Sequence, residues 1–381
     1  MKDYKLIAKT FSGLESVLAK ELTELGARNV NAGNRSVSFE GNIELIYRTN
    51  YWCRTALRIL KQIEFFHFKN VDQFYLKCKG VKWIDYFSIE HSFVVQSTVV
   101  NANDFNNSMF ASLKVKDTIA DYFRSLLGKR PNVDTENPDI IINVHIFQNS
   151  CTLSIDSSGE SLHKRGYRVK QGDAPLNEVL AAGMIKLTGW NGENNFLDPM
   201  CGSGTLPIEA ALIAHNIPPG KFRKVYAFEN WTDFDQLLFD SIKKQSIQKK
   251  YNYKIFACDI SGSNLLNAQT NARRAFVFNK IEFIKSDFKE LNLEINKGII
   301  VINPPYGERL KENNLELLYA MIGERLKHQY AGNKAWILTS SIENLKVIGL
   351  RPSQKMELYN GALKCRFNEY KLFAGKRKEL K

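Results

Sequence analysis

An α/β architecture is predicted for the larger part of this chain. It is a mostly parallel sheet ending in an antiparallel hairpin, preceded by a smaller α+β portion. Three observations predict it. From about residue 174, short apolar strands alternate with helical patterns, the signature of a parallel sheet covered on both faces. A glycine-rich turn, Asp198-Pro199-Met200-Cys201-Gly202-Ser203-Gly204-Thr205, joins one of those strands to a helix. Finally, Asn360-Gly361 separates two alternating stretches, a strong hairpin signal.

The elements follow in order. Residues 4–9 alternate as a strand. Leu14, Val17, Leu18, Leu22 and Leu25 recur at helical spacing, and Gly26 ends that helix. A short strand over 37–39 precedes Gly41-Asn42. Between 43 and 155, helices around 43–49 and 71–78 mix with strands at 93–100 and 140–147. A long amphipathic helix over about 108–127 stops at Gly128. The lack of regular alternation there indicates an α+β domain. Further on, a helix over 174–187 leads into the strand Asn195-Phe196-Leu197 and, past the turn, a helix over 206–215. Strands follow at 254–260, 281–286, 298–303 and 335–340, then the hairpin of 355–359 and 363–373. The aromatic-rich stretch 217–248 holds two helical pieces and suggests no role.

Composition narrows the class. At 381 residues, 44% hydrophobic and 24% charged, two globular domains are expected. The net charge is +13. Residues 1–160 hold 19 basic against 18 acidic side chains, so nearly all the excess lies beyond them. That favours a polyanionic partner for the second half. Six scattered cysteines form no CxxC pair, which indicates neither a zinc site nor a redox dithiol. No apolar leader and no 18-residue apolar run occur, so a cytoplasmic protein without membrane or metal is expected.

Four motifs carry chemistry. The glycine turn lets a ligand approach the backbone at a helix N-terminus, the usual place for a nucleotide-like cofactor. It lacks the lysine of a phosphate-binding loop, and Pro207 stands where a dinucleotide fingerprint needs its third glycine. Asp259 ends the next strand, where an acid accepts from ribose hydroxyls or caps a helix. Asp287 follows the strand after that, where it can accept from an adenine amino group, with Phe288 beside it to pack on the ring, or be a plain turn carboxylate. The fourth motif decides the class: Asn303-Pro304-Pro305-Tyr306 after an apolar strand. Two prolines stiffen the backbone and remove two donors. The Asn303 side-chain oxygen and the Pro304 carbonyl can then hold both protons of an exocyclic amino group, whose lone pair is otherwise delocalised into its ring. Positioning of that kind suits methyl transfer without a strong base. Tyr306 offers a face for a base turned out of its stack.

These two motifs together resemble the THUMP-containing guanine-N2 RNA methyltransferases, the bacterial large-subunit (23S) rRNA enzymes above all. His163-Lys164-Arg165-Gly166-Tyr167-Arg168, Ala174-Pro175-Leu176-Asn177-Glu178 and the terminal hairpin fit the same family, and the likeness covers nearly the whole chain. It implies a ferredoxin-like portion over 1–43, a THUMP RNA-binding domain over 44–156, and a class I (Rossmann-like) methyltransferase domain with a seven-stranded sheet over 160–381. It implies S-adenosylmethionine as cofactor, lined by Asp198, Pro199, Gly202, Gly204, Thr205, Asp259 and Asp287, with Arg165 and Tyr167 also near it. Asn303, Pro304, Pro305 and Tyr306 would hold the base. RNA, as 23S rRNA or an assembling large subunit, would meet Lys114, Lys116, Lys129, Arg130, Lys164 and Arg168. Three other readings share parts of this pattern: a tRNA guanine-N2 methyltransferase, a DNA adenine-N6 methyltransferase, and a non-catalytic RNA-binding assembly factor.

Overall fold

The computed structural model describes residues 2–105, 107–169, 176–305 and 312–374, with backbone alone at 312 and 313. It divides into two compact units: Met1–Lys9, Ala19–Leu162 and Arg223–Gln245 form the first, and Thr10–Leu18, His163–Phe222 and Ser246–Lys381 the second. No helix among the described residues is long and apolar enough to cross a membrane.

The strands of the first unit are β1 (Tyr4–Lys9), β2 (Arg28–Gly33), β3 (Ser36–Gly41), β4 (Arg58–His67), β5 (Phe93–Val100), β6 (Ile140–Phe147) and β7 (Ser150–Asp156). They form one sheet in the order β2-β3-β1-β4-β7-β6-β5. Every pair is antiparallel except β5 with β6. That parallel pair needs a crossover, and α4 (Ser108–Leu127) supplies it. After α1 (Glu15–Glu24), asparagines start the next three helices. Asn42 accepts from the Leu45 N–H at α2 (Ile43–Trp52), Asn70 from Gln73 at α3 (Val71–Lys79), and Asn107 from Phe110 at α4. Gly128, at φ +70°, ends α4 in the left-handed region that glycine adopts freely.

Three of these strands were not legible in sequence. β2 is almost wholly exposed and carries no apolar alternation. β4 shifts register between Gln62 and Glu64, which breaks its period-2 pattern. β7 is buried at five of its seven positions, so it does not alternate either.

The aromatic stretch also finds its place. Residues 223–245, including α7 (Gln236–Lys244), belong to the first unit. Phe228 stacks on Tyr47 at 4.5 Å and on Tyr226 at 5.1 Å, and meets Phe239 edge-on at 5.0 Å. The Asp235 N–H donates to the Tyr47 hydroxyl at 3.1 Å. Lys61 is buried, its ammonium 4.4 Å from the Trp231 ring centre and 4.6 Å from that of Tyr4, with Asp233 at 3.6 Å. The Arg223 guanidinium donates to the carbonyls of Ser158, Glu160 and Ser161. A buried aromatic cluster of this kind stabilises by several kcal/mol, since truncating one such ring costs about 3–5 kcal/mol.

The second unit contains α5 (Glu178–Leu187), β8 (Phe196–Asp198), α6 (Thr205–Ala214), β9 (Ile255–Asp259), α8 (Gly262–Arg274), β10 (Glu282–Lys285), β11 (Ile299–Ile302), α9 (Glu312–Gln329), β12 (Lys334–Thr339), β13 (Gln354–Asn360) and β14 (Leu363–Lys371). Its seven strands run β10-β9-β8-β11-β12-β14-β13. The first five are parallel, and β14 returns antiparallel between β12 and β13. This is the mixed sheet that the sequence predicts. The chain starts in the middle at β8, moves outward to β10, then crosses to β11. Such a reversal opens a crevice at the carboxyl ends of the central strands.

Candidate active site

Four adjacent strand ends carry the residues that the sequence singled out. Asp198 closes β8, Asp259 closes β9, Asp287 follows β10, and Asn303 follows β11. All four therefore lie along one edge of one sheet.

Asp198 is fully buried, and one of its oxygens accepts the Met200 N–H at 3.1 Å. Gly202 and Gly204 both have positive φ, +53° and +83°. A side chain at Gly202 would meet nothing within 4 Å, so this turn faces open space. At Gly204 a Cβ would lie 2.8 Å from the Cβ of Ala268, which fixes how closely α8 packs on the turn. Pro199 and Thr205 are buried beside them.

Asp259 hooks the turn. One oxygen accepts the Gly202 N–H at 2.8 Å; the other accepts the Ser261 N–H at 2.8 Å and the Asn264 amide at 3.3 Å. A carboxylate has about four acceptor sites, so one remains for a ligand hydroxyl. Asp287 accepts from the Lys289 N–H at 2.9 Å and is half-buried. Asn303 differs from these. Its Oδ1 is buried and has no hydrogen-bond partner among the described residues. A buried oxygen without a donor is costly and awaits one. Pro304 is buried and Pro305 half-buried next to it. Tyr306 lies outside the described residues, as do Lys170 and residues 375–381 of the basic tail.

Burial pushes the Asp198 carboxyl well above the ordinary range; the Asp259 charge adds to this, and the Met200 N–H opposes it in part. An acid whose pKa is raised by folding weakens the fold above its unfolded pKa, because the unfolded chain gives up the proton first. The cost builds from roughly pH 4, the ordinary carboxylate value, up to the folded pKa and persists above it. Asp198→Asn is therefore expected to raise Tm at pH 8, with a gain that shrinks as the pH falls toward 4, and to weaken cofactor binding. Thermal melts across pH with calorimetric titration check both; a lower Tm at pH 8 would show that the ionised carboxylate stabilises the fold.

Several expectations are corrected. Arg168, expected to meet RNA, is instead engaged within the protein. Its guanidinium donates to Glu178 at 2.7 Å, to Thr205 Oγ1 at 2.9 Å, to the Leu176 carbonyl at 3.0 Å and to Ser203 Oγ at 3.3 Å, so it braces the glycine turn. Arg165 and Tyr167 are buried. The Tyr167 hydroxyl donates to Glu209 at 3.0 Å and Arg165 pairs with the same carboxylate at 3.5 Å. The sequence places both near the cofactor; here, buried, they brace α6 through Glu209. Phe288 is a core residue stacked on Tyr330 at 5.8 Å, not a free ring for an adenine. Lys114 and Lys116 do not form one patch, because residues two apart on a helix face different ways. Lys114 lies over Phe110, and Lys116 pairs with Asp117 at 2.9 Å. Lys129, Arg130 and Lys164 are exposed.

Sequence reasoning missed Asn271. It is buried on α8, donates to the Ser203 carbonyl at 3.0 Å and accepts the Val169 N–H at 3.0 Å. It thereby ties the turn to the segment before it. An amide on the apolar stripe of Leu265, Ala268 and Ala272 was the available signal.

Comparison with known proteins gives a consistent result. The model described as "RMKL-like, methyltransferase domain" matches residues 165–369, the THUMP domain matches 68–156, and the RlmL ferredoxin-like domain matches 5–60. A Synechocystis protein called "Putative RNA methyltransferase" is 38% identical over 365 residues, 95% of each chain. The "Ribosomal RNA large subunit methyltransferase K/L" of Vibrio campbellii is 39% identical over 96% of this chain but 53% of its own. The chain thus spans about half the length of the K/L relatives. The crystal structure of "a putative methyltransferase complexed with SAH" superposes with a TM-score of 0.89 at 28% identity, covering 99% of this chain and 100% of the other.

Proposed function

The chain belongs to the RMKL-like methyltransferase family, with ferredoxin-like and THUMP domains before the methyltransferase domain, and on that premise we propose that it methylates the exocyclic N2 of a guanine in large-subunit (23S) rRNA, acting in the cytoplasm. The observation that carries the chemistry is the buried Oδ1 of Asn303 at the carboxyl edge of the sheet, which has no partner among the described residues. The relatives' names support RNA as the substrate class and rRNA within it.

The residues fit S-adenosylmethionine. Gly202 opens onto free space, Asp259 keeps one acceptor site, and Asp198 is a buried acid that a cation would hold ionised. Bound there, the cofactor supplies an electrophilic methyl group on a sulfonium. The chain's own part is positional. Asn303 Oδ1 accepts one N–H of the target amine and the Pro304 carbonyl accepts the other. The nitrogen lone pair then points away from both oxygens, and its delocalisation into the ring is reduced. Proline at 304 and 305 leaves no N–H at either position to compete for those acceptors. Methyl transfer would form the N–C bond as the sulfonium's C–S bond is given up, and the nitrogen so held would lose its extra proton to solvent.

The test is methyl transfer from labelled S-adenosylmethionine to total RNA from cells lacking the protein, followed by nucleoside digestion. Label in N2-methylguanosine from large-subunit rRNA is expected. Label in N6-methyladenosine, or in DNA alone, would overturn the guanine assignment.

A further inference from the structure

The sheet of the first unit has two unlike faces. Paired residues on neighbouring strands share a face, and alternate residues take opposite ones. One face is apolar: Phe66, Cys151 and Ile146 lie on it, with Phe66 5.9 Å from Phe74 of α3 and Ser97 joined to Ser112 of α4 at 2.7 Å.

The registers place two rows on the other face. His67 pairs with Ser150, Ser150 with Phe147, and Phe147 with Val100. Phe65 pairs with Thr152, Thr152 with His145, and His145 with Thr98. The His67 ring nitrogen lies 2.9 Å from Ser150 Oγ, so these side chains do meet on one side. Phe65 is 49% and Phe147 46% exposed, and His67, Thr98 and Val100 are exposed as well. Two large rings held open on neighbouring rows are unusual for a sheet that has another face to bury.

The chemistry of the eight positions is specific. They comprise two phenylalanines, two histidines, three hydroxyls and a valine, with no carboxylate among them. Phe65 and Phe147 stand two strands and two residues apart, about 12 Å. Between them lie hydroxyls and imidazoles able to meet base edges. Burial and the nearby charge of Lys9 lower the His145 pKa, which favours its uncharged ring. Lys9 on β1, opposite Arg58, prolongs the face, where Arg58 pairs with the buried Asp156. Exposed aromatics interleaved with small polar groups, with no acid among these eight positions, match unstacked bases on a polyanionic strand.

We propose that this face of the sheet, centred on Phe65 and Phe147, holds a single-stranded segment of the RNA substrate by stacking. The inference rests on the reading of the chain as an RNA methyltransferase and moves its RNA contact away from the helix and loop lysines. The surface reads unpaired bases, so duplex RNA is not its ligand.

The test uses the full chain, a fluorescein-labelled single-stranded 12-nucleotide RNA of mixed sequence, and a blunt duplex of the same sequence. The double variant Phe65→Ala with Phe147→Ala should lose about 10-fold or more in affinity for the single strand. Its SAH affinity and Tm should stay unchanged, because both rings are half-exposed. In turnover, KM for RNA should rise while kcat at saturating RNA holds. Phe65→Tyr with Phe147→Tyr should bind as the parent does, and the corresponding leucine pair as weakly as the alanine pair. Alanine variants within twofold of the parent would overturn the proposal. So would leucine variants that bind normally, or a self-association that the alanine pair abolishes, since the face would then be an apolar docking surface. Absence of any RNA methylation by the parent protein would sink the enzymatic reading instead, while a binding loss in the alanine pair would still support the surface.

Discussion

Asn303→Ala is expected to lower kcat by about 10²–10³-fold, the scale on which one preorganised polar group at a reacting centre contributes. Affinity for RNA and for SAH should stay within about threefold. The reason lies in what the side chain touches: its Oδ1 is buried and has no partner among the described residues, so no hydrogen bond of that oxygen there is lost on truncation. Truncation should leave Tm unchanged or raise it slightly, because a buried acceptor without a donor is removed. Single-turnover methyl transfer with saturating cofactor separates the chemical step from binding. Asn303→Asp keeps an acceptor oxygen at the same place and should lose less than the alanine variant. A normal kcat in Asn303→Ala, or a loss confined to KM, would remove Asn303 from the chemistry.

Gly204→Ala should cost about 2–4 kcal/mol of stability, from two sources. A non-glycine residue at φ +83° is strained by about 1 kcal/mol. The new Cβ would also sit 2.8 Å from the Cβ of Ala268 and 3.1 Å from its Cα, atoms that cannot rotate away, and overpacking of that kind costs about 1–3 kcal/mol. Urea unfolding reads the sum. Ala268→Gly in the same chain should relieve the Cβ part of that clash, less about 1 kcal/mol for a glycine inside α8, and leave the backbone strain. Gly202→Ala makes the contrast: it meets nothing within 4 Å, so only the backbone term of about 1 kcal/mol remains. Its methyl group nevertheless projects into the space the cofactor would use, and SAH affinity should fall at least about tenfold with little loss of stability. If both glycine variants lost stability and binding in equal proportion, the turn would be a structural joint and not a cradle.

Local signals were legible in the sequence, and distant ones were not. The turn at 198–205 and the Asn303-Pro304-Pro305 stretch announce themselves because a strand end, glycines and prolines lie within eight residues. Asp259 and Asp287 follow the same rule. The buried braces were hidden by separation. Arg168 reaches Thr205 across 37 positions, Asn271 reaches Val169 across 102, and a basic run reads equally well as a solvated face. The aromatic richness of 223–245 was visible, but its partner was not: Tyr47 lies 188 positions before Asp235. β4 was lost to its register shift and β2 to its exposure, both cases in which packing decides and periodicity is silent.

The membership of Arg223–Gln245 in the first unit has a consequence for biosynthesis. A domain emerging from the ribosome can complete its core only when its last contributing segment has been made. Here the rings of Tyr226, Phe228 and Phe239 cap Tyr47 and Tyr51, yet they are translated after Leu162, the end of the unit's main stretch. At about 5–20 residues per second, the intervening synthesis leaves that aromatic pocket open for several seconds. A nascent chain in this interval exposes surface that chaperones bind. A fragment cut after Leu162 would carry the same unfinished pocket permanently.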